Sequence, residues 1–200
     1  MILEHTTLDL SLDVRRNAAP EPRISPQPKA CSPQQSGQID VPTVRFGLLK
    51  VDPETVLTFP NGLIGFETCK RYIIVRHQDN SAFRWLQSLD EARIAFPIVE
   101  PMEFCADYAP TISDADARFL DVDRGDAPIL LFTIVTVPPH NPRDMTANLL
   151  APLVVNGLTR RGKQTIVQNE GYTTRHKIVD EMARRQAAEE RKETPAEQAA

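Results

Sequence analysis

The residues of this chain able to do chemistry are few and widely spaced. Cys105 with His140 or His176 supplies the types of a thiolate nucleophile and its base, yet no hydrolase signature surrounds them, and such a pair is made in space. Cys69 and His77 flank one apolar run without the second spaced pair a zinc site needs. The glycines of GLIGFE, residues 62–67, lack the spacing and the Lys-Ser/Thr of a phosphate loop and read as turn geometry. Phe83 and Trp85 alternate in FRWLQSL, a pattern of core packing before one of ligand stacking. These residues predict no catalytic site, no metal and no cofactor, so the chain is expected not to be an enzyme.

Charge says more. The 200 residues carry a formal net charge of -4, against the basic excess of a domain built to neutralise phosphate, so direct nucleic-acid binding is not expected. Within that total, Glu100, Glu103, Asp107, Asp114, Asp116, Asp121, Asp123 and Asp126 stand against only Arg118 and Arg124. The stretch from 157 to 177 is the reverse, with Arg160, Arg161, Lys163, Arg175 and Lys177 against Glu170. The acidic window is either a solvated face or a docking surface for a basic partner, where complementary charge raises the on-rate and specificity.

The elements that must position these groups read as short strands. Val44, Phe46 and Leu48 alternate on one side of a strand, with a bulge expected where Leu48 and Leu49 follow Gly47. Asp52, Pro53 and Glu54 make a turn, and Asn61 with Gly62 tolerates positive φ. KRYIIV, FRWLQSL and IAFPIV follow as strands, while ILLFTIVTV, apolar on both faces, belongs at the centre of a sheet. ANLLAPLVVN and KQTIVQN form a closing pair around Gly157 to Gly162. Ser113 caps a helical turn in SDADARFL, and a helix begins near Thr174. The fold class is all-β, a mainly antiparallel, barrel-like domain with short helical segments and a C-terminal helix.

Three domains of organisation are expected. Residues 1–42 hold six prolines and little to bury, which predicts a disordered extension, with a short element around Leu8 to Val14 or an overlong translation start as alternatives. The β domain spans 43–181, and 182–200 form a polar helical or disordered tail. Three scattered cysteines, no basic-then-apolar leader, and a longest apolar run at 127–139, short of the roughly 20 residues that cross a bilayer, predict a soluble cytoplasmic protein without a membrane partner.

FGLLKVDPETVLTFPNGLIGFE, FRWLQSLD, AFPIVEP, MTANLLAPLVVN and YTTRHKI occur in that order, and over about residues 43–181 the chain resembles the FliW family of bacterial flagellar assembly factors. The resemblance implies a non-catalytic protein with two partners. One is flagellin, held in the cytoplasm before export; the other is CsrA, a basic RNA-binding repressor of flagellin translation, whose capture relieves repression. In this frame MTANLLAPLVVN is a framework strand and its entry loop, with Thr146 and Asn148 satisfying loop backbone and Leu149, Leu150, Leu153 and Val155 supplying apolar contacts. The eight carboxylates from Glu100 to Asp126 are the candidate partner-binding residues. The rival reading is a small-molecule-binding or enzymatic β-barrel, since closed barrels enclose ligands.

Overall fold

The computed structural model describes residues 37–76 and 81–193, with side chains of the last helix described to residue 187. Cys31, His77 and all of the expected extension before residue 37 lie outside the described residues. The first strand, β1, covers Ile39–Thr43 and pairs antiparallel with β2, Gly47–Val51. It starts ahead of the boundary expected at 43. The strand expected through Val44 and Phe46 is instead the hairpin turn, which Thr43 organises by accepting from the Phe46 amide at 3.0 Å and donating to the Gly47 carbonyl at 2.8 Å. Gly47, at φ +69°, supplies the left-handed residue on which a three-residue hairpin loop ends, so the apolar alternation there is that of a turn.

The remaining strands are β3 (Leu57–Thr58), β4 (Arg71–Arg76), β5 (Arg84–Ser88), β6 (Ala95–Val99), β7 (Ile129–Thr136), β8 (Thr146–Ala147), β9 (Leu153–Asn156), β10 (Gly162–Gln164) and β11 (His176–Lys177). Their ladders are antiparallel, in the order β10-β9-β7-β6-β5-β4-β3, with β8 joining β7 and β11. The ILLFTIVTV run is central as expected, since β7 contacts β6, β8 and β9. The two ends of the path meet at a single parallel bridge, Thr58 to Arg161, so the sheet is barrel-like and joined at a point. That point is tightly packed. A Cβ at Gly162 would lie 2.6 Å from the buried ring of Phe59, which leaves glycine as the residue the junction accepts.

Alternation along the strands fills the interior with Leu57, Phe59, Tyr72, Leu86, Ile98, Phe132, Leu153 and Val155. The other face of the sheet is covered in three places, one of them where Val99 and Val135 lie under Phe104, Tyr108 and Ile178. Over β5, Arg45 of the hairpin turn sits 3.9 Å from the centre of the Trp85 ring, and Phe46 meets that ring edge-on at 6.1 Å. Over β9, the helix α1 (Asp114–Phe119), capped by Ser113 as its sequence predicts, leads into Leu120 and Val122, which bury against Val154. The last helix, α2 (Ile178–Glu193), starts after β11 and runs through the expected boundary at 181. Its start lies beyond Thr174 because His176 and Lys177 pair with Ala147 and Thr146.

Asp90 ties the ends of β4 and β5 together, accepting from the Lys70 and Arg71 amides at 2.6 and 2.8 Å and from the Arg71 guanidinium at 2.8 Å. Partial burial pushes its carboxyl up, but the amides of Arg71 and Lys70 with the guanidinium outweigh burial and hold it below the usual carboxylate range.

Candidate functional site

Of the described side chains singled out for chemistry, all but His140 are engaged in packing or pairing. Cys69 is buried beside Tyr72 in the interior. Cys105 is half-buried, and burial, with Glu181 and Asp107 adding, pushes its thiol up, away from the thiolate a nucleophile needs. His176 is engaged at 2.9 Å by Glu181, which also accepts from Arg184 at 2.6 Å, while His140 is exposed in a loop. Among the described residues no group of three His, Cys, Asp or Glu could hold a metal ion, and no helix is long and apolar enough to cross a membrane. GLIGFE is turn geometry, with Gly62 at φ +70° and Gly65 at φ +84°. Phe83 packs against Val99, Phe104 and their neighbours.

An open groove of about 390 Å³ lies beside the loop that follows Gly62. Six separate stretches line it: Leu63, Ile64 and Phe66 from the loop after Gly62; Phe96 of β6; Ile134 and Thr136 of β7; Asn148, Leu150 and Ala151; Gln164 and Ile166; and Thr174. Its lip is apolar and exposed, Ile64 at 58% and Ile166 at 62%. Such residues do not come together by chance of local sequence. The loop is pinned where the Gln164 side-chain oxygen accepts from the Ile64 amide at 3.0 Å and its nitrogen donates to the Ala151 carbonyl at 3.2 Å. Phe66 meets Phe96 edge-on at 4.9 Å. Asn148 does satisfy its loop, accepting from the Ala151 amide at 2.9 Å, and Leu149, Leu153 and Val155 are buried as framework.

The acidic window divides in two. Glu100 pairs with Arg84 at 2.8 Å, Asp121 with Arg161 at 3.6 Å, and Asp116 with Lys163 in the least exposed of these pairs. Arg161 and Lys163 also sit over the Phe119 ring, at 4.3 and 5.2 Å from its centre. Two members of the basic stretch are thus the internal counter-charges of the acidic one, a pairing between distant segments that neither segment discloses alone. Glu103, Asp107, Asp114, Asp123 and Asp126 are exposed and enter no ion pair among the described residues.

A family model described as FliW protein matches residues 40–178. The flagellar assembly factor FliW of Leptospira biflexa serovar Patoc is 38% identical over 144 residues, covering 72% of this chain and 94% of that protein. The protein of the same name from Thermotoga maritima is 33% identical over 140 residues, covering 70% of this chain and 93% of its own. A crystal structure of the flagellar assembly factor FliW superposes with a TM-score of 0.64 at 29% identity, covering 70% of this chain and 96% of that one.

Proposed function

The chain belongs to the FliW family, and from that premise we propose that it is a non-catalytic, cytoplasmic partner-binding protein that holds flagellin in the apolar groove and antagonises CsrA at the acidic face. The observation that carries the flagellin reading is the exposed lip of Ile64 and Ile166 around a groove whose floor is already apolar. At about 390 Å³ the groove takes a few side chains and leaves the backbone of its occupant outside. That suits the anchors of an amphipathic helix, which docks by residues spaced about one turn apart. The rival reading of a ligand-enclosing barrel meets an interior filled by Phe59, Tyr72, Leu86 and Phe132.

A pull-down with cognate flagellin tests the first half. Changing both Ile64 and Ile166 to aspartate is expected to weaken flagellin binding at least about 100-fold, since fully burying each isoleucine contributes about 1.5–3 kcal/mol. Because both side chains are exposed, the fold should tolerate the change, and a normal circular dichroism melt is the control. Unchanged affinity, or equal capture of flagellin lacking its terminal segments, would remove the groove from consideration.

Stopped-flow association with CsrA tests the second half. Glu103, Asp107, Asp114 and Asp123 changed together to amides should slow association and flatten its salt dependence, although exposed charges contribute only about 0.2–1 kcal/mol each. Asp116 is left out because its carboxylate already serves Lys163. If rate and salt slope stay as in the wild type, the face is merely solvated.

A further inference from the structure

We propose that β10 is a two-sided coupling strand that links occupancy of the groove to the anchoring of the acidic segment. It has only three residues, and two of them face in opposite directions as strand neighbours must. Gln164 faces the groove, where it holds the Ile64 amide and the Ala151 carbonyl. Lys163 faces outward to Asp116 and the Phe119 ring, and so holds α1. Arg161, the residue before β10, adds Asp121 and the same ring, and its position bridges to Thr58.

Beyond the packing of Gly162 against Phe59, few contacts hold the strand. Three register pairs join it to β9, and its other side meets β3 at the single bridge. A side chain seated beside Ile64 bears on the loop from Leu63 to Phe66, and part of that load falls on Gln164, which holds the Ile64 amide. The peptide between Lys163 and Gln164 is planar, so a shift of one is felt by the other. The structure holds Asp116 on Lys163, and release of that contact would give the segment the second arrangement through which two sites become linked. The consequence for partners rests on flagellin taking the groove and a basic protein taking the acidic face: groove occupancy then resets how the segment from Asp114 to Asp126 is presented, and by linkage the acidic-face partner resets the groove equally.

The test is amide hydrogen exchange on the full chain, read as ratios to the Ile74 and Leu86 amides of the β4–β5 ladder so that a global loss of stability cancels. Gln164→Ala should accelerate exchange at Leu120 and Val122, whose amides bond to Asp116 and Ala117, by about fivefold or more. Asp116→Asn should do the same at Phe66 and Cys69, whose amides bond to Leu63 and Phe66. In the double variant the accelerations should fall short of the product of the single ones. Lys163→Gln supplies a second way to release the segment without touching the groove, should Asp116→Asn fold poorly. The proposal is overturned if each variant disturbs only its own side, or if the double variant is the simple product. Cognate flagellin added to the wild type separates the two ideas. Coupling between the variants without flagellin protection of Phe66 supports the coupling strand and sinks the groove reading; protection of Phe66 with independent variants does the opposite.

Discussion

Gly62→Ala is expected to destabilise the domain by about 2–5 kcal/mol, the sum of about 1–2 for a side chain held in the left-handed region and about 1–3 for overpacking. A Cβ at this position would lie 2.6 Å from both the Glu67 Cα and the Phe66 carbonyl oxygen. Both are backbone atoms, so no side-chain rotation relieves the contact. The thermal midpoint should fall by roughly 4–20 °C, at about 2–4 °C per kcal/mol for a domain of this size. Gly65→Ala is the internal comparison: its φ is +84°, but nothing lies within 4 Å of the added carbon, so only the conformational part should appear. Equal midpoints for the two variants would show that the loop yields around Glu67.

The second large effect is expected at Asn156, which is buried at the end of β9 and uses its whole side chain. Its nitrogen donates to the Leu120 and Asp121 carbonyls at 2.9 and 3.2 Å, and its oxygen accepts from the Leu158 and Thr159 amides at 2.9 and 3.0 Å. One side chain thus shapes the turn before β10 and fastens the end of the acidic segment to it. Asn156→Ala should cost roughly 3–5 kcal/mol in denaturant unfolding, given about 1–3 for each buried group left unpaired. Asn156→Asp keeps the acceptor but turns a carboxylate oxygen toward two carbonyls, which raises its folded-state pKa. The folded variant then binds more protons than the unfolded one between the two pKa values, so relative to wild type it should recover stability as pH falls from 7 toward 4. A deficit independent of pH would mean that the carboxylate finds another partner.

How much of this was legible in the chain depends on how local each feature is. Strands β4 to β7, the positive φ at Gly62 and the Ser113 cap follow from neighbouring residues, and alternation or a capping side chain is enough to find them. The turn at Val44 to Phe46 misleads for the same reason, since three turn residues before a glycine mimic an alternating strand. Asn156 stands beside Gly157, where asparagine reads as an ordinary turn former; its apolar run, LVVN, is the only hint of burial. The ion pairs needed two charge windows to be laid on each other, and both windows were visible while their register was not. The groove was least accessible. Its walls come from stretches that have no common period, and exposed Ile64 and Ile166 look in sequence like any other apolar residue.

The meeting of Ile64 with Gln164 spans 100 positions of chain, and the bridge from Thr58 to Arg161 crosses a similar interval. On the ribosome this sets an order of events. The hairpins from β4 to β6 close over short loops as they emerge, whereas the groove lacks the wall of Gln164 and Ile166 until β10 has left the exit tunnel. Closing so long a loop adds entropy only as about (3/2)RT ln n, but contacts of this separation slow the search for the native pairing. A nascent chain therefore carries Ile64 and Phe66 without that wall until β10 is made, and only then is the groove complete.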